Sequence, residues 1–331
     1  MKFINDFRML RSLCILVCSF VFAGLLSGQS FRFRNYGPGD NLPSNVIYTI
    51  NQDRNGYLWI GTTQGISRFD GFDFFSIAFP DSAFSRYPSC SLKDNDERLW
   101  FGCNDGTLFW SDGSSLNKVK LSNSSVISCL VQGPDGNIYA VPQRKAIFRI
   151  NPRNPEEIDT LEIPGDPVMF SAAFSGSGKL LIGTQDNIMV CDVNKSSPEL
   201  VSVIEGFDYS SVTAIQPVNE GNWYLIGTDG NGLFRLFLTD AESELSRFPD
   251  DKRLASFSVK SLLMADDQSI WVSTAEAGAV KLLFIPDNGA LKYVRFFDNN
   301  SGLPGNYVSV VFQDAEHNLW LGFNGSGLSL F

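Results

Sequence analysis

Apolar and polar positions along this chain alternate in short runs that return in a fixed order. An apolar-rich strand, such as VIYTI (46–50) or VSVVF (308–312), is followed by a polar turn such as DRNG (53–56) or GPDG (133–136). Turns of that composition close tight hairpins. A second strand follows, centred on an aromatic residue or leucine. A glycine-containing turn then leads to a third strand, as in ISRF (66–69), LFRLF (233–237) and AVKLLF (279–284).

The whole arrangement, seen best in VIYTINQDRNGYLWIGTTQGISRFDG (46–71), recurs in degraded form. Its centre returns as ERLWFGCNDG, GNIYAVPQRK, GKLLIGTQDN, NWYLIGTDGNG, QSIWVSTAEAG and HNLWLGFNGSG. With Gly61 as the marker, the equivalent positions are Gly102, Val141, Gly183, Gly227, Ser273 and Gly322, spaced by 41, 39, 42, 44, 46 and 49 residues. A period in the low forties matches a four-stranded propeller blade. The second strands centre on Trp59, Trp100, Tyr139, Leu181, Leu225, Trp271 and Trp320, which are expected to pack blade against blade. A blade has two apolar faces and cannot cover them alone, so stacking into a ring is the natural solution.

Ring closure is also legible. The last unit stops at GLSLF (327–331), after its third strand, while FRFRNY (31–36) precedes the first unit as a strand without a blade. The N-terminal strand is therefore predicted to complete blade seven, which protects the sheet edges. The expectation is an all-β chain forming one closed seven-bladed β-propeller over residues 29–331.

The wording of the repeats narrows this further. NYGPGDNLPSNVIYTINQDRNGYLWIGTTQGISRFDGFDF (35–74) and NNSGLPGNYVSVVFQDAEHNLWLGFNGSGLSLF (299–331) combine an L-P-x-N lead, an Asp-x-x-Gly turn and an L-W-x-G strand, and IGTDGNGLFRL (226–236) follows them in part. This resembles the two-component regulator propeller repeat of periplasmic sensor regions in bacterial membrane histidine kinases. The resemblance implies a non-enzymatic sensor of a glycan fragment or small solute, with no cofactor. It also implies connector, membrane and kinase parts as partners in a longer protein, and the chain is expected to be the sensor fragment of one. A stand-alone secreted propeller, acting as a polysaccharide lyase or hydrolase or as a protein-binding scaffold, is the alternative. A homodimer is left open.

Residues 1–28 carry Lys2, Arg8 and Arg11 and then an apolar run from Leu13 to Leu26. A membrane-spanning helix needs roughly 20 apolar residues, so this run is expected to be a signal peptide and the remainder periplasmic. Four cysteines follow it: Cys90, Cys103, Cys129 and Cys191. Cys90 and Cys103 flank one hairpin and are candidates for a disulfide, or else serve as small buried hydrophobes.

Composition removes several functions. The net charge of -10 argues against a nucleic-acid surface. The single histidine, His317, lies in the polar turn AEHN. That excludes a multi-imidazole zinc site and leaves no phospho-accepting histidine for a kinase. Acidic pairs such as Asp266–Asp267 lack the spacing of a calcium loop and read as solvated turns.

Ligand contacts on such a scaffold belong to loops at one end of the strands. The loops after the second strands carry Gln64, Asn104, Asp105, Asp186, Asn187, Asp229, Asn231 and Asn324. Those leading into the first strands carry Asn41, Asn45, Tyr209, Asn306 and Tyr307. Amides and carboxylates suit hydroxyl groups and tyrosines suit the face of a sugar, although the same residue types also form ordinary turns.

Overall fold

The computed structural model describes residues 33–331 apart from 82–85, 123, 195–196, 219–222, 240, 249–251 and 286–288. The expected signal peptide lies outside the described residues. Among those described, no helix is long and apolar enough to cross a membrane.

Seven antiparallel sheets of four strands each follow one another along the chain. Blades one to six span residues 47–77, 88–119, 127–161, 169–204, 212–247 and 259–297. Blade seven takes three strands from 308–330 and its outermost strand, Arg34–Tyr36, from the other end of the chain. Tyr36 pairs with Leu328 and Arg34 with Leu330, so the predicted closure is present. The first strands of successive blades lie against one another around the axis.

Burial follows from this stacking. The second strand of every blade is buried along its whole length, from Leu58–Thr62 in blade one to Leu319–Phe323 in blade seven. Both of its faces are covered by neighbouring blades, so it reads as a continuous apolar run. All seven predicted anchors are buried. Trp59 packs with Leu99, Phe101 and Phe109 across the seam of blades one and two, and Leu225 with Val259 and Val272 across that of blades five and six.

The marker glycine is the point of closest approach. A Cβ on Gly102 would lie 2.6 Å from Ile127 Cγ2 of the next blade, and one on Gly227 would lie 2.4 Å from Val259 Cγ1. At Gly102, Gly227 and Gly322 the first atom a side chain would meet belongs to a branched residue of the next blade's first strand, Ile127, Val259 and Ile47. The turns are also joined from blade to blade. Gln132, Gln313 and Gln52 each accept a backbone N–H from the preceding blade, from Asn95, Asp266 and Ala315 at 2.9, 2.8 and 2.7 Å.

The aspartate of the Asp-x-x-Gly turn does more than shape a hairpin. Asp53 Oδ1 accepts the backbone N–H groups of Asn55 and Tyr57, while its Oδ2 accepts the Trp59 indole N–H at 2.8 Å. Asp94 does the same for Asp96, Arg98 and Trp100, with the indole at 2.8 Å. Asp314 serves Glu316, Asn318 and Trp320, with the indole at 2.7 Å. Each carboxylate thereby satisfies a donor that burial would otherwise leave unpaired. In blade three the tie runs the other way round the turn, from the Tyr139 hydroxyl to Asp135 Oδ2 at 3.0 Å.

The candidate disulfide is not present: Cys90 and Cys103 are both free thiols. Cys103 pairs with Pro88 and Cys90 with Gly102, and the register slips by one residue between these pairs. That slip turns the two sulfurs to opposite faces of the blade. Cys103 packs with Trp59 and Phe101 toward blade one, and Cys90 with Ile127 and Ile138 toward blade three. Burial pushes both thiols well above their ordinary value, as expected of small core residues.

Candidate functional site

The slip beside Cys90 occurs in every blade. The pairing of first and second strand shifts by one residue directly after its first pair, which leaves Tyr48, Ser89, Ser128, Phe170, Thr213, Lys260 and Ser309 as the extra residues. A bulge bends the strand and re-aims the side chain of its extra residue. These seven bulges lie at the start of the innermost strands, the same strand ends that carry the loops predicted to touch ligand.

Two of the seven are spent on joining blades. The Ser89 hydroxyl donates to the Ile127 carbonyl at 2.6 Å, and the Thr213 hydroxyl to the Val259 carbonyl at 2.8 Å. The large ones are Tyr48, Phe170 and Lys260. Tyr48 stacks on Tyr87 at 4.8 Å with the rings 17° apart. Burial and the neighbouring phenols of Tyr87 and Tyr307 raise the Tyr48 phenol above its ordinary value, so blades seven, one and two bring three tyrosines together. The Lys260 ammonium sits 5.8 Å from the centre of the Tyr307 ring and 3.2 Å from Asp229 Oδ1. Partial burial opposes ionisation of Asp229, but Ser258 and Lys260 hold its carboxyl below the ordinary value. The sector therefore offers stacked aromatic rings, a cation and an ionised carboxylate, which together can hold a neutral or zwitterionic polar solute.

The predicted loop residues divide into three groups. Asp229 and Tyr307 belong to this sector. Asp186 and Asn187 line a separate cavity of about 400 Å³ with Asp208 and the fully exposed Tyr209, at the same strand ends between blades four and five. The rest serve the loops themselves. Asn104 Oδ1 accepts the Tyr87 N–H at 2.9 Å, and the Asn231 amide donates to Ser210 Oγ at 2.6 Å. Asp105 takes the Arg86 guanidinium at 2.6 Å, which with the Thr107 N–H outweighs burial and lowers its carboxyl. Asn324 bridges to Val46, and Gln64 is exposed at its turn. A larger cavity, about 610 Å³ and lined by Ser175, Lys179, Tyr224 and Glu242, opens at the opposite strand ends. It carries one ring, Tyr224, where the sector around Lys260 brings three tyrosines together.

Tyr48, Tyr87 and Lys260 are absent from the residues that loop composition selects. Their signal is positional: Tyr48 stands 13 residues before Gly61 and Lys260 13 before Ser273. Aligning the repeats on the marker puts both in one column, where only the bulge gives them meaning.

Comparison with known proteins agrees with this architecture. The family model described as two component regulator propeller matches residues 41–64 and 302–325. Histidine kinase P4 of Formosa agariphila is 36% identical over 61 residues, which is 18% of this chain and 4% of that protein. The extracellular domain of a hybrid two component system from B. thetaiotaomicron superposes with a TM-score of 0.73 at 18% identity, over 90% of this chain and 41% of that one. Virginiamycin B lyase from Staphylococcus aureus, in a catalytically inactive form with quinupristin, superposes at 0.70 and 14% identity, over 90% and 98% of the two chains. At these identities the structural likenesses establish the fold. The chain spans less than half the length of that extracellular domain and a small part of the kinase. It is a seven-bladed propeller whose blades one and seven match the two component regulator propeller repeat.

Proposed function

We propose that this propeller is a ligand-sensing module, held outside the cytoplasm, of a two-component signalling protein, and that it does no chemistry itself. The observation that carries the reading is the Tyr48, Tyr87, Tyr307, Lys260 and Asp229 sector on the loop face of a chain with this repeat family. Its rings and charges suit a glycan fragment or another small polar solute. Ligand that binds one arrangement of the propeller and its neighbours better than another biases that arrangement, and the bias is read by connector, membrane and kinase parts of the longer protein. Titration of the purified propeller with an oligosaccharide panel tests this by calorimetry. The expected result is saturable binding without turnover, weakened about tenfold or more by Tyr48→Ala and by Lys260→Met. Turnover of a panel member, or binding that both substitutions leave unchanged, overturns it.

A further inference from the structure

Six of the seven blades blunt their open edge, and blade four does not. The outermost strand of a sheet shows unpaired backbone N–H and C=O groups to any chain that can pair with them, and charged side chains or a short strand are the usual guard. Glu156, Glu157 and Asp159 guard blade three, Glu244 and Arg247 blade five, Lys292 and Arg295 blade six, Lys118 blade two and Arg34 blade seven. Blade one ends on the four-residue strand Phe74–Ile77. The outer strand of blade four, Glu199–Ile204, reads LVSVI after its first residue and carries no charge along that stretch. Leu200, Val201 and Val203 are all exposed, and no other described strand has more than one large exposed hydrophobic residue.

These side chains reach both faces of the edge. Leu200 pairs with Cys191 and Val203 with Met189, and both partners belong to the core shared with blade three. Val201 is the extra residue of a one-residue register slip, which re-aims it, and it lines the cavity of about 610 Å³ with Leu238 and Ala241 of blade five. A strand laid along this edge covers apolar side chains on both faces while its backbone pairs, which is the mode of strand addition.

The charges select the occupant. Exposed Glu199 and Glu205 stand at the two ends of the apolar stretch, and Glu242 lies on the cavity wall, where Lys179 is the one cation among the lining residues. A second copy paired antiparallel on the same edge would set Glu199 of each chain beside Glu205 of the other, and like charges so placed are destabilising. Each copy would also bring a net charge of -10. A strand ended by lysine or arginine meets the same carboxylates favourably.

We propose that the outer edge of blade four is a docking site for an extended segment of another protein, apolar along its middle and ended by lysine or arginine, which adds a fifth strand to the blade beside Glu199–Ile204. The edge lies at the rim of the ring, and the proposal does not depend on the reading given for the tyrosine sector.

The test uses two synthetic peptides, acetyl-Lys-Val-Thr-Val-Thr-Val-Lys-amide and its counterpart with glutamate at both ends. Calorimetry gives the affinity, and hydrogen exchange read by mass spectrometry locates the contact. The expected result is saturable binding of the lysine-ended peptide at about 100 µM, slower exchange of the amides of residues 199–205, and binding of the glutamate-ended peptide at least about tenfold weaker. Val203→Lys, at an exposed position, puts a guard on the edge and weakens the lysine-ended peptide about tenfold or more. Glu199→Lys with Glu205→Lys reverses the preference between the peptides, and it keeps the test decisive if Val203→Lys does not fold. Absence of binding, equal binding of the two peptides, or binding that these substitutions leave unchanged overturns the proposal. So does a chain that sediments as a dimer and becomes a monomer with Val203→Lys, because a second copy then holds the edge.

Discussion

Blades one, two and seven and blade six close the same backbone turn with different side chains. Asp53 N–H donates to the Tyr57 carbonyl at 3.0 Å, and Ala265 N–H to the Ser269 carbonyl at 2.8 Å. The left-handed residue that ends each turn is in place in both, Gly56 in one and Gln268 in the other. The turn therefore does not need its aspartate. What the aspartate supplies is an acceptor for the buried indole. Blade six has Ala265 in its place, the Trp271 indole N–H has no acceptor among the described residues, and Asp267 takes over only the turn-capping part, accepting the Ser269 N–H at 3.0 Å. The same blade also departs at the marker. Ser273 replaces glycine, and its hydroxyl meets Ser261 Oγ at 2.8 Å. An interior polar contact there replaces the tight approach made elsewhere.

The largest expected effect comes from making blade two resemble blade six. Asp94→Ala removes the acceptor of the Trp100 indole together with that of two backbone N–H groups, and should cost about 3 kcal/mol. The reverse change, Ala265→Asp, should stabilise by about 1 kcal/mol by giving Trp271 the missing partner. Both are read from the midpoint of urea unfolding at constant slope. If Asp94→Ala costs no more than an exposed substitution, the tie is not what distinguishes the blades.

A smaller effect should follow at the marker. Gly102→Ala places a methyl group 2.6 Å from Ile127 Cγ2 and 2.7 Å from Cys90 Sγ, and overpacking of that kind costs about 1–3 kcal/mol. Ser273→Ala in blade six adds no volume and loses a hydroxyl that meets Ser261 and the Ser309 carbonyl of blade seven, so about 1 kcal/mol is expected. Equal losses at the two positions, measured by the same unfolding assay, would show that the glycine is not set by the approach of the next blade.

These contrasts also show what the sequence makes legible. The blade number, the anchors and the closing strand follow from a period and an apolar pattern, because every blade must cover two faces and leave no open edge. The tie was open to reading as well: aspartate six residues before tryptophan occurs at Asp53, Asp94 and Asp314, yet turn composition alone explains those aspartates and hides their second oxygen. The Cys90 and Cys103 candidate failed for a different reason. Hairpin flanks suggest opposed side chains only in a regular ladder, and the bulge after Pro88 shifts the register by one, which reverses every face beyond it. The same bulge hid Tyr48 and Lys260, since loop composition points to residues beyond the strands while the bulge presents residues within them.

Blade three gives the finest version of the comparison, because its tie can be titrated. Gly133 stands at the aspartate position, and a Cβ there would lie 2.5 Å from Asp135 Oδ1 and 2.7 Å from Tyr139 Cε2. Asp135 and Tyr139 thus occupy the space that the side chain at the aspartate position would enter. Burial first, and then the Asp135 carboxylate, pushes the Tyr139 phenol up to about 12. The protonated phenol is the donor, and its pKa is higher in the folded chain than the roughly 10 of an unfolded tyrosine. The tie's contribution is therefore complete below about pH 10 and is lost as pH rises through about 12. Between those limits the unfolded chain releases this proton and the folded chain keeps it, so stability should fall by about 1.4 kcal/mol per pH unit from this group. Tyr139→Phe should lower stability at neutral pH by about 1 kcal/mol and make the slope between about pH 10 and 12 shallower by about 1.4 kcal/mol per pH unit. Unfolding midpoints of the two chains at neutral pH and across pH 10 to 12 read both effects. Parallel slopes would mean that Tyr139 ionises as freely in the blade as in the unfolded chain, and that the Asp–Trp ties have no counterpart in blade three.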